Sequence, residues 1–124
     1  MNNLIKKVSM LFQSINDMDE RWLIETSLKS FSQYVHEIAD IKIEISAMKN
    51  MGLDKREFKT CIEYLNFKKQ TGYNVCVSSI NILNRMAKKF NLSNVFDGDV
   101  ENSEEVEDFA LLVTSEYFGE KIED

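Results

Sequence analysis

The sequence contains no proline, one histidine, two cysteines and four glycines in 124 residues. Without proline, a helix in this chain ends only at glycine, at polar capping residues or where tertiary packing stops it. Histidine is confined to His36, and the chain has no GxSxG elbow, no glycine-rich phosphate loop and no cluster of histidine with cysteine. The residue sets of the common nucleophilic, phosphate-cradling and zinc chemistries are therefore missing. His36, Glu37 and Asp40 make half of a zinc-protease pattern with aspartate in place of the second histidine. A solvated helix face is the plainer account of those three polar side chains. Cys61 and Cys76 lie fifteen positions apart without CxxC or metal-type spacing, which fits two free thiols in a reducing compartment and implies no cofactor. The longest apolar run, Phe109 to Val113, has five residues, far short of the roughly 20 that span a bilayer. Lys6 and Lys7 interrupt the apolar start in an amphipathic rather than a signal-peptide pattern, so a cytoplasmic location and no membrane contact are expected.

What the sequence does have is helical periodicity. A composition of 44% hydrophobic and 29% charged residues suits a globular chain, and 124 residues suffice for one self-contained core, so a single domain over residues 1–124 is expected. Leu4, Ile5, Val8, Leu11, Phe12 and Ile15 form one helical face. Asp17 with Glu20 has capping-box spacing, and the stripe Ile24, Leu28, Phe31, Val35, Ile38, Ile41, Ile45 and Met48 runs to Gly52. Asp54 with Glu57 opens the next helix, Leu53 and Phe58 being placed as a hydrophobic staple, and Gly72 reads as its stop. Cys76, Ile80, Leu83, Ala87 and Phe90 mark a fourth helix; Asn102 with Glu105 starts a fifth that ends at Gly119.

The expectation is an all-α fold, a compact bundle of about five helices near residues 3–14, 18–49, 54–70, 74–90 and 103–118, one of them long. The alternation Ile41-Lys42-Ile43-Glu44-Ile45 allows at most one short strand pair. An unbroken second helix would be about 46 Å long. It either breaks near Asp40 or projects, and a homodimer through the helix that begins near Glu20 would cover the surplus of its apolar stripe.

Charge is uneven along the chain. Residues 1–50 carry six basic and seven acidic side chains, residues 51–91 eight and three, and residues 92–124 one and eleven. The segment Leu83 to Ser93 reads like the first helix and turn of a helix-turn-helix, but the residues after it include Asp97, Asp99, Glu101 and Glu104 where a recognition helix needs cations. The same residues align with a calcium loop from Asp97 to Asp108, except that Asn102 and Glu104 replace the turn glycine and the aliphatic anchor.

Asn74, the triplet Leu83-Asn84-Arg85, Phe96-Asp97-Gly98-Asp99, Asp108-Phe109-Ala110 and Tyr117-Phe118 give residues 74–118 a resemblance to an uncharacterised family of small helical proteins, a domain of unknown function from clostridia and related bacteria. The resemblance implies a helical bacterial protein and brings no activity with it. The residues themselves suggest that Asn84 or Arg85 satisfies backbone groups of the 96–99 loop. Alternatively, Asn84, Arg85, Phe96, Asp99 and Asp108 gather at a small pocket, floored by Phe96, in which Arg85 meets an anionic ligand.

Three functions compete. The favoured one is a non-catalytic protein-interaction module, not an enzyme, whose acidic surface meets another macromolecule in the manner of an immunity-type or phage-type inhibitor. The second is a nucleic-acid-associated regulator using the basic segment 55–89, disfavoured by the overall acidity. The third is a small-ligand-binding protein with its pocket near Arg85 and Phe96.

Overall fold

A computed structural model of the chain describes residues 3–120. Four α-helices and one π-helical turn make up the described fold: α1 (Asn3–Ser14), α2 (Met18–Lys49), α3 (Lys55–Lys89), α4 (Ser103–Leu112) and the turn Val113–Tyr117. No strand occurs among the described residues, and Ile41 to Ile45 are helical within α2.

The helix starts follow the local capping chemistry. Asp17 accepts from the Asp19 amide at 3.0 Å, Asp54 from the Glu57 amide at 2.8 Å, and Asn102 from the Glu104 and Glu105 amides at 3.1 and 3.4 Å. Each bond satisfies a donor that the first helical turn leaves without a partner. The Glu57 amide also holds the exposed Asp54 carboxyl below the usual carboxylate range.

The expected count of five helices is corrected to four because Gly72 does not stop a helix. Residues 54–70 and 74–90 belong to one continuous α3. Gly72 serves a close approach instead: a Cβ there would lie 2.7 Å from Cδ1 of Tyr34, whose buried ring packs on the glycine from α2. Loss of helix propensity at this glycine is offset by the packing it permits. The end of α3 is a Schellman motif. Asn91 takes a positive φ of 58°, the Leu92 amide reaches back to the Ala87 carbonyl at 2.8 Å, and the Asn91 amide reaches the Lys88 carbonyl at 3.1 Å.

α2 does not break near Asp40. It pairs with α3 as a long antiparallel hairpin, the most extensive helix pair in the molecule. Ser30 Oγ and Ser79 Oγ hydrogen bond across the seam at 2.7 Å, and together with Gly72 these small residues bring the two helices close. α4 and the π-turn lie on one side of the hairpin, and α1 packs against the π-turn. The core forms there: Ile24, Leu28 and Phe31 of α2, Ile80 and Leu83 of α3, and Val106 of α4 are all fully buried. Phe31 meets Phe109 edge to face at 5.2 Å.

The α2 stripe, which in sequence looks long enough to seek a second molecule, is thus largely filled from within the chain. Ile24, Leu28, Phe31, Val35 and Ile41 are buried, and Ile38, Ile45 and Met48 are half-buried. The core occupies one end of the hairpin only: no residue between Lys42 and Tyr64 is buried.

Candidate functional site

Three constellations could carry function, and each grows from the hairpin. The first closes the loop between α3 and α4. Asn84 Oδ1 accepts from the Val95 and Phe96 amides at 2.9 and 3.1 Å, while its Nδ2 donates to the Phe96 carbonyl at 3.0 Å. One half-buried amide side chain so satisfies three backbone groups of a loop folded over a helix. Val95 and Phe96 are held buried, and Phe96 stacks edge to face on Phe109 at 5.1 Å.

This arrangement sorts the residues that the sequence singled out. Asn84 is the clasp and Arg85 is not. Phe96 belongs to the core rather than to the floor of a ligand pocket. Asp99 is exposed and accepts from the Glu101 amide at 3.0 Å, a turn contact local to the loop. Arg85 and Asp108 are exposed and make no hydrogen bond or ion pair among the described residues. The structure brings Asn84 and Phe96 together and leaves Arg85 and Asp108 outside that contact. Nor does the 97–108 segment form a calcium loop, because from Ser103 onward it is helix and Asn102 is spent as its cap. No group of three or more histidine, cysteine or acidic side chains is placed to hold a metal ion among the described residues.

The second constellation is an open polar hollow of about 400 Å3 between α2, α3 and the start of α4. Tyr34 lies at its back and donates its hydroxyl to Glu107 at 3.1 Å, and Lys69 stands 3.9 Å from the same carboxylate. Burial, with the neighbouring Glu107 charge, pushes the Tyr34 phenol above its ordinary value, so it stays a donor. Tyr73 donates to the Val100 carbonyl. These bonds tie α4 and its preceding loop to the hairpin, and they engage the tyrosine, lysine and glutamate side chains within the protein itself.

The third lies on the side of the hairpin that α4 leaves open. Trp22, Thr26, Lys29 and Gln33 of α2 face Thr71, Asn74, Val75, Ser78 and Ile82 of α3 across a groove of about 540 Å3. Its floor is the Ser30–Ser79 seam. Trp22, the only tryptophan in the chain, is 64% exposed, and Val75 is 47% exposed. Sequence periodicity passes over both because each sits beside, not on, the apolar stripe of its helix. A lone tryptophan off the stripe is the signal that marks this face.

The basic residues of segment 55–89 do not form one patch. Lys59 pairs with Glu63 at 4.0 Å, Lys69 with Glu107 at 3.9 Å and Lys89 with Glu20 at 2.6 Å, along a helix of 35 residues. On the acidic side, Lys7 meets Asp97 at 3.0 Å. Asp99, Glu101, Glu104, Glu105 and Asp108 are exposed without an ion pair among the described residues.

Two further groups are internal. Burial pushes the Cys76 thiol up to about 12, which keeps it protonated and inert. His36 and Ser32 both hydrogen bond the Glu120 carboxylate, the serine at 2.9 Å, fixing the last described residue to α2. The carboxylate stands between the other two groups, so the histidine does not reach the hydroxyl as a catalytic base would.

Compared with known proteins, residues 1–116 match a family model described as a protein of unknown function (DUF3232). The match extends the resemblance read over residues 74–118 to nearly the whole chain. No curated protein and no solved structure matches.

Proposed function

The chain belongs to the DUF3232 family, whose function is unknown, and on its geometry we propose that it is a non-catalytic protein-interaction module that docks a polypeptide on the open face of the α2–α3 hairpin. The observation that carries this reading is Trp22. It stands 64% exposed at the head of a groove that no described residue covers. Tryptophan is enriched where binding energy is concentrated, and here the exposed Trp22 and Val75 stand among polar side chains, Lys29, Gln33 and Asn74 with them, that can hydrogen bond a partner.

A second reading rests on the exposed carboxylates at the start of α4. Lys7 and Lys69 neutralise only Asp97 and Glu107, and the rest are available to a basic macromolecule, as an inhibitor of a nucleic-acid-binding or similarly cationic protein would require.

Capture from a cell extract separates these surfaces. Wild type is compared with Trp22→Glu and with a chain reversed at Glu101, Glu104 and Asp108 to lysine. A polypeptide that wild type retains at raised salt and Trp22→Glu loses is the expected result. Loss confined to the reversed chain, and to raised salt, moves the function to the acidic end. Retention of nucleic acid with steep salt dependence moves it to the basic segment. Identical retention by all three chains ends the proposal.

A further inference from the structure

The open face has properties that select its occupant. Among the side chains that line the groove only Lys29 is charged, whereas the chain as a whole carries a net charge of −6. A basic partner would be drawn to the carboxylates near α4, not here. Two copies of an acidic chain repel one another over most of their surfaces, and this nearly neutral face is where they approach at least cost. Its serine, threonine, asparagine and glutamine side chains supply donors and acceptors together, so the face can pair with itself.

Its two exposed apolar side chains, Trp22 and Val75, are also placed to meet across a two-fold axis. The Ser30–Ser79 hydrogen bond marks the level at which α2 and α3 meet. Trp22 precedes Ser30 by eight residues and Thr71 precedes Ser79 by eight. Because the helices are antiparallel, the two positions lie on opposite sides of that level, each about 12 Å from it at about 1.5 Å per residue. Trp22, 64% exposed, stands on one side of that level, and Val75, 47% exposed, stands with Thr71 on the other. A two-fold axis lying in this face at the serine level, oblique to the helices, turns one copy end for end and brings each Trp22 toward the other copy's Thr71 and Val75.

Resting on the interaction-module reading, we infer that the polypeptide taken by this groove is a second copy of the same chain, with Trp22 of each protomer seated beside Thr71 and Val75 of the other. The contact runs about 24 Å along two helices each about 10 Å wide, which buries on the order of 1,000 Å2 in total, the lower bound for a specific interface. The dimer is therefore reversible and depends on concentration.

The contact differs from pairing through the Ile24 to Met48 stripe, since that stripe is largely buried or half-buried within the chain. It uses the adjacent face of α2.

Sedimentation equilibrium over a wide concentration range, read beside Trp22 fluorescence, tests the proposal. With one tryptophan in the chain, the emission reports this face alone. The expected result is a reversible doubling of mass from 14.5 kDa, with emission shifting to shorter wavelength in step with the mass. Trp22→Glu and Val75→Glu should each remain monomeric with unchanged helical circular dichroism, because neither side chain belongs to the buried core of the monomer. Val75→Glu keeps the fluorophore and should show no shift at any concentration. A wild-type mass of 14.5 kDa throughout overturns the inference, as does a dimer that survives in both variants. If the wild type stays monomeric, the capture comparison still decides whether the face docks some other polypeptide.

Discussion

Asn84 has the most consequential single side chain outside the core. Removing it strands two amides and a carbonyl of a loop whose Val95 and Phe96 are buried, and each buried group left without a partner costs about 1–3 kcal/mol. Asn84→Ala should therefore destabilise by about 2 kcal/mol or more in urea unfolding, while its neighbour Arg85→Ala should stay within about 0.5 kcal/mol of wild type. Equal effects would show that the clasp is misassigned. The sequence made this role readable, since a loop folded on a helix must find partners for its polar backbone. It did not distinguish Asn84 from Arg85, because adjacent helix positions differ by about 100° in direction and the loop's path decides which one it meets. Glu120 is legible only in three dimensions. Hydrogen bonds from His36 and then Ser32 hold its carboxyl below the ordinary value of 4.5. A carboxyl lowered in the folded state stabilises the fold above its unfolded value and loses that contribution as pH falls through its folded one. The difference in melting temperature between wild type and Glu120→Gln should thus be present at neutral pH and fade progressively as the pH falls below the ordinary value of 4.5. A difference that persists undiminished in acid would mean that the carboxylate charge contributes nothing.

At the scale of elements, the beginnings of the helices were written locally and the middle of α3 was not. Asp17, Asp54 and Asn102 cap within three residues of themselves, so their roles needed no knowledge of the fold. Gly72 depends on Tyr34, which lies 38 positions earlier on another helix. No window along the chain contains that contact, and a glycine without it does read as a stop. The substitution Gly72→Ala weighs the two effects directly. Helix propensity gains about 1 kcal/mol, whereas overpacking against a buried ring costs about 1–3 kcal/mol. Tyr34 is anchored by Glu107 and cannot easily swing away. A net loss of about 1 kcal/mol in thermal or urea unfolding is expected, and a gain would show that Gly72 is a helix defect with no packing role. The Schellman ending at Asn91 was available in the sequence as an asparagine followed by leucine, a weaker form of the usual glycine signal.

For the whole molecule, the sequence carried the all-helical class and a long α2 but missed that α3, at 35 residues against 32, is longer still, and it placed most of the core correctly from the 3.6-residue period. It was silent on the open face. Amphipathic reading finds the side of a helix that is most apolar, and it passes over a second, mixed side on which serine and threonine surround one tryptophan. The core sits at one end of the hairpin, with no buried residue between Lys42 and Tyr64. That distribution gives the molecule two different lifetimes of structure. Amides in the hairpin's far end are protected only by one helix against another, while those near Phe31 and Leu83 open only when the core itself comes apart. Native-state hydrogen exchange should therefore divide α2 and α3 crosswise. Amides of residues 43–63 should exchange through a local event of low free energy, and those of 24–35 and 76–87 at the global limit. A proteolytic nick should fall in the same place, near Met51 and Gly52, and leave a fragment pair still held by the core. Uniform protection along both helices would mean that the hairpin melts as one unit, with its far end timed by a core that it does not touch.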